Sequence, residues 1–163
     1  YGWVPYVGAM FGAWFGGLLA QNRIKIGWSV NKTRKTVIGL GCLIMLPALL
    51  AMSNPGSPSS AVIIMAVILF GFQTAIGNVQ TLPSDMFGGK TIGTLAGYSG
   101  MAAKLGAVAL TSLVPWLTSG GNYTPAFVIG AALAVVAMLS VLILIPVVEP
   151  LKEKKQNLEL KQS

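Results

Sequence analysis

Few side chains in this sequence have the type and placement to bind a solute. The first is Lys104, a cation near the middle of the apolar run 92–117. Gly93, Gly97, Gly100, Ala107 and Thr111 stand at steps of three and four around it, so with Lys104 they form one stripe down a helix. The lysine therefore lies in a groove of small side chains, open to close approach by a helix or a ligand. A lysine at the centre of a spanning helix costs about 2.5–3.5 kcal/mol on insertion scales. At 1.5 Å per residue it would stand roughly 18–20 Å from either end of the run, beyond the ~6 Å reach of its own stem. Three readings stay open: an anionic ligand, a carboxylate from protein beyond this chain, or a lysine neutralised by burial.

The second group is a set of amides and hydroxyls in the run 61–82. At 100° per residue, Gln80, Gln73, Thr81, Thr74 and Asn78 fall within an arc of about 160°, and Phe72, Ala75, Ile76, Val79 and Leu82 fill the other side. A polar face on a spanning helix belongs against protein or water, not lipid. It serves either interhelical hydrogen bonding or the wall of a cavity. If the two runs cross antiparallel, Gln73 and Lys104 both fall near the midplane. A cation beside amides there suits a hydroxylated, carboxylated solute. Lys104, Gln73, Thr74, Asn78 and Gly100 are the candidate substrate-binding residues.

Other chemistry is poorly provided for. The sequence has no histidine and one cysteine, Cys42, inside an apolar run, where it reads as a packing residue. No catalytic pair, metal-ligand set or cofactor motif is expected. Gly88, Gly89, Lys90 and Thr91 lack the upstream glycine spacing of a phosphate loop. Asn122, Tyr123 and Thr124 match a glycosylation sequon in a turn too short to make it persuasive. The spans carry no acid, so they offer no proton-relay carboxylate. An enzyme is not expected.

The elements that would hold these groups are helices in a bilayer. The chain is 54% hydrophobic and 9% charged, against about 25% charged in soluble domains. Five apolar runs, at about residues 3–20, 36–52, 61–82, 92–117 and 125–148, predict an all-α membrane protein of five spans, with a polar tail at 149–163. Glycines at 8, 12 and 16 in the first run form a small-residue stripe for close helix packing. Pro47 predicts a kink in the second run, and Pro83 closes the third. The net charge is +7. Every Lys and Arg except Lys104 falls in the segment 21–35, in the loop 84–91 or in the tail, and none in the turns 53–60 and 119–124. That contrast places the first loop, third loop and tail on the cytoplasmic side. The five cations of 21–35 also suit anionic lipid headgroups. Nucleic acid is not an expected partner.

Three stretches carry a resemblance. They are Trp3-Val-Pro-Tyr6 with Gly16-Gly17 and Arg34-Lys35; Leu82-Pro-Ser-Asp85, Met86-Phe87 and Gly93-Thr94-Leu95-Ala96-Gly97; and Asn122-Tyr123-Thr124-Pro125-Ala126-Phe127. Together they resemble the C-terminal half of major facilitator superfamily transporters of the anion:cation symporter group, which includes hexuronate and other sugar-acid carriers. The resemblance implies helices eight to twelve of twelve, with helices one to seven missing: the N-terminal half and the first helix of the C-terminal half. It further implies alternating access around a midplane site. Two departures stand out. Ala20 and Gln21 occupy positions where the family has an acid shortly after the glycine pair, which weakens a charge latch in this loop. Lys104 stands where many relatives would have a small or amide residue.

The expected function is that of a fragment of a bacterial inner-membrane symporter, moving an organic anion such as a hexuronate with protons, its C-terminus cytoplasmic. Lys104 would attract the carboxylate, and Gln73, Thr74 and Asn78 would bind hydroxyls. A non-transporting scaffold that binds partner helices through its glycine stripes is the alternative from another class. A major facilitator carrier for a neutral solute or drug shares the expected fold.

Overall fold

The computed structural model describes residues 1–87, 90–118, 120–121, 123–145 and 148. The expectations for Gly88 and Gly89, for the sequon at Asn122 and for the tail 149–163 lie outside the described residues. Among those described there are five helices and no strand: α1 Val4–Lys25, α2 Val30–Ala51, α3 Pro58–Met86, α4 Lys90–Leu117 and α5 Thr124–Leu144. Four of them, α2 to α5, are long and apolar enough to cross a membrane. The chain is an all-α membrane protein. α1 is also 22 residues long, but its last two turns are polar, with Gln21, Asn22, Arg23 and Lys25.

Helix starts follow local chemistry. Pro5, Pro58 and Pro125 stand in first turns, where the missing N–H costs nothing. The Ser29 hydroxyl accepts from the Lys32 backbone N–H and caps α2. Ser57 and Ser60 form a reciprocal capping box at α3. Gly27, at φ +95°, makes the turn from α1 into α2.

Two boundaries differ from the sequence expectation. The basic segment 21–35 is mostly helical, because α1 runs on to Lys25 and α2 begins at Val30. Arg34 is thus a helix residue. Nor does Pro83 end its helix: α3 continues to Met86, and the Phe87 N–H donates to the Pro83 carbonyl. A proline so near a helix end removes one ladder bond that neighbouring groups can make good.

α3 is the central element. α1 runs parallel to it, with Gly8 against Ala66, Gly12 against Phe70 and Gly16 against Thr74. α2 runs antiparallel on another side, where Gly41 and Gly71 bring the backbones together. A Cβ on Gly41 would lie 2.6 Å from the Gly71 carbonyl oxygen. α5 packs on α2. Ile38, Cys42, Ala75, Leu82 and Val148 form a buried cluster, with Val79, Met138 and Val141 against it. α4 is lightly attached and its residues 96–113 are exposed. These directions gather the end of α1, the start of α2 and the end of α3 at one end of the bundle.

Candidate functional site

The polar arc of α3 divides into two when α1 docks. Thr74 and Asn78 turn into the α1–α3 seam, where they are 0% and 3% exposed. The glycine stripe of α1 leaves its carbonyls accessible there. The Thr74 hydroxyl lies 3.0 Å from the Gly12 carbonyl oxygen and 2.9 Å from that of Phe70, its one proton shared between them. The Asn78 amide donates to the Thr74 carbonyl at 3.0 Å and to the Gly16 carbonyl at 3.4 Å. Gln73, Gln80 and Thr81, on the other part of the arc, face a cleft of about 390 Å³. Ala13 and Gly17 of α1 form its second wall, small enough to leave it open, and Arg34 of α2 lines it as well.

Arg34 ties the cleft to the helix ends. Its Nε donates to Asp85 Oδ2 at 2.8 Å and its Nη1 donates to Asn78 Oδ1 at 2.9 Å. A longer 3.5 Å contact joins Nη2 to Asp85 Oδ1. The guanidinium and the carboxylate are largely enclosed, with side chains 15% and 21% exposed. Asn78 thereby connects three helices, through Gly16 on α1, Arg34 on α2 and its own place on α3. This network was not foreseen from the sequence. One signal pointed to it: Asp85 is the only acid ahead of residue 149, so a cation was bound to find it.

Each candidate residue has a definite place. Gln73 and Asn78 both border the cleft, but the Asn78 amide is committed to Gly16, Thr74 and Arg34 and does not offer itself to a solute hydroxyl as expected. Thr74 does not; its hydroxyl is spent on the seam. Lys104 and Gly100 lie on the exposed stripe of α4, away from the cleft lining. A Cβ on Gly93, Gly97 or Gly100 would meet nothing within 4 Å, so the stripe is uncovered among the described residues.

Apolar spanning helices around a cleft lined by Gln73, Gln80, Thr81 and Arg34 define a multi-pass membrane protein. No protein-family model matches the chain. It is 29% identical over 146 residues to the hexuronate transporter of Escherichia coli K12, covering 88% of this chain and 33% of that protein. It is 28% identical over 142 residues to the D-galactonate transporter of Escherichia coli O6:H1, covering 87% and 33%. The chain thus spans about a third of the length of the curated relatives it matches. Those relatives are transporters of sugar acids, not enzymes, in agreement with the resemblance to the C-terminal half of a major facilitator carrier.

Proposed function

We propose that this chain is part of a secondary transporter for a sugar acid, a hexuronate or a related hydroxylated carboxylate. The observation that carries the reading is the cleft: the amides of Gln73 and Gln80, with the Thr81 hydroxyl, on a helix long enough to span a bilayer. Polar groups at that depth are costly unless they serve protein or solute. Amides donate and accept, which suits a sugar's hydroxyls. Similarity to hexuronate and galactonate transporters supports the same class of solute.

In this reading Gln73 meets hydroxyls from the cleft. Asn78, its amide committed to Gly16, Thr74 and Arg34, holds the cleft wall. Lys104 with Gly100 beside it receives the carboxylate once the rest of the carrier brings the open stripe of α4 to the solute. Thr74 acts from behind, holding α3 to α1. The remaining helices of the carrier, an N-terminal half, close the site and rock against this one in alternating access. Protons drive the uptake, and coupling carboxylates come from that other half. The protein resides in the bacterial inner membrane with the basic loops and C-terminus cytoplasmic, as the charge contrast between loops supports.

The test is uptake of labelled glucuronate, galacturonate and galactonate by cells expressing the complete reading frame, with and without a proton uncoupler. Uptake lost on uncoupling, and lowered about ten-fold or more in apparent affinity by Lys104→Ala, is the expected result. A charge-assisted hydrogen bond of about 1.5–3 kcal/mol sets that scale. Unchanged uptake by Lys104→Ala would remove the lysine from the site. Uptake of neutral sugars with none of sugar acids would overturn the substrate class.

A further inference from the structure

We propose that the corner between α1 and α2 is a binding surface for anionic phospholipid, with two headgroup contacts on opposite sides of α1. The first is one exposed face of α1. Phe15, Leu18 and Leu19 line its apolar length, and Gln21, Asn22 and Lys25 line its polar end. Phe15 and Leu18 are 40% and 65% exposed. α1 lies along the spanning helix α3 from Gly8 to Gly16, so this face is carried through the same apolar layer. A helix face that turns from apolar to amide and ammonium within three turns has the polarity of a phospholipid, chain first and phosphate last.

The second contact surrounds Trp28 in the connecting turn. The Arg23 guanidinium lies 4.9 Å from the indole centroid and the Lys32 ammonium 4.7 Å. Arg23 is two residues from Lys25, about 200° around the helix, so it lies on the other side of α1 from that face. An indole bracketed by cations is typical of the layer where headgroups lie.

Charge accounting points to an anion rather than a zwitterion. Arg23, Lys25 and Lys32 crowd this corner, and Lys32 stands in the first turn of α2, where the helix dipole disfavours a cation. That turn contains no acid. Asp85, the one acid among the described residues, is taken by Arg34. A lipid phosphate at this corner would meet cations that Asp85 does not neutralise.

The experiment is native mass spectrometry of the complete polypeptide in neutral detergent, titrated with phosphatidylglycerol or with phosphatidylcholine of the same chains. Two retained phosphatidylglycerol adducts are expected. Lys25→Gln should weaken one of them, and Arg23→Gln with Lys32→Gln the other, by about five-fold per cation removed. That factor corresponds to the ~1 kcal/mol that each cation contributes near an anionic surface. Lys25→Arg should keep its adduct, and circular dichroism of every variant checks that the helices persist. Equal retention of phosphatidylcholine would overturn the proposal. So would an equal loss on Lys104→Gln, which makes bulk charge the cause. Displacement of the lipid by free glycerol phosphate would also overturn it, as the site would then take a small anion without a chain.

Discussion

Arg34 on α2 and Asp85 on α3, 51 positions apart in the chain, meet at 2.8 Å where three helix ends converge. The pair is largely enclosed, and Asn78 holds the guanidinium from its other side. Removing one partner leaves the other charge poorly solvated, so Asp85→Asn and Arg34→Ala should each lower stability in detergent by about 1–3 kcal/mol. The double variant should lose less than the sum, with a coupling of about 0.5–3 kcal/mol in a double-mutant cycle read from thermal unfolding. Strict additivity would show that the contact contributes nothing.

The glycine stripe of α1 makes a second prediction by contrast between neighbours. A Cβ on Gly16 would lie 2.9 Å from the Thr74 carbonyl oxygen and 3.0 Å from its Cα, both backbone atoms that cannot swing aside. A Cβ on Gly17 would meet nothing within 4 Å. Gly16→Ala should therefore destabilise by about 1–3 kcal/mol through forced separation of α1 and α3. Gly17→Ala should be neutral or stabilise by up to about 1 kcal/mol through helix propensity. Unfolding midpoints of the two variants check this, and equal midpoints would mean that α1 does not dock on α3 through this stripe.

These features were unequally visible in the sequence. Helix number and membrane class were legible because an apolar run long enough to span leaves few alternatives. The polar arc of α3 was legible as one face, since helical periodicity fixes which residues share a side. Its division was not, because that depends on where the glycines of α1 seat themselves. Thr74 and Gln73 are adjacent in sequence and 100° apart, and only the docked position of α1 sends one into the seam and the other to the cleft. Arg34 was hidden by its neighbours: among five cations it read as a loop charge marking a membrane side, when it is a helix residue with a specific partner. Asp85 was hidden by Pro83, which suggested a helix end that α3 passes. Lys104 is legible as a member of the stripe, and the structure leaves that stripe exposed among the described residues, away from the cleft.

Thr33 gives a third prediction, of opposite sign. It is fully buried, and its hydroxyl has no hydrogen-bond partner among the described residues. A buried hydroxyl without a partner costs about 1–3 kcal/mol. Thr33→Val keeps the branched shape and removes the polar atom, so it should leave the unfolding midpoint unchanged or raise it. Thr33→Ala should lower it, by about 1 kcal/mol for the lost methyl group and the space left behind. A clear fall with valine would mean that the hydroxyl is satisfied in the membrane.

The two parts of the α3 arc should separate stability from transport. Thr74→Val removes a hydroxyl that bridges the Gly12 and Phe70 carbonyls and leaves the cleft lining untouched. It should cost about 0.5–1.5 kcal/mol of stability and leave the apparent affinity of transport unchanged in the protein that remains folded. Gln73→Leu does the reverse. Gln73 is not held in the α1 seam as Thr74 and Asn78 are, so stability should shift by less than about 0.5 kcal/mol. The cleft would lose an amide that both donates and accepts, and apparent affinity for a hydroxylated substrate should fall about ten-fold, the equivalent of roughly one hydrogen bond left unmade. Uptake by membrane vesicles, normalised to folded protein by size-exclusion chromatography, measures both. If Thr74→Val impairs affinity and Gln73→Leu does not, the solute is read from the seam side of α3, and the cleft would be a packing space for a neighbouring helix.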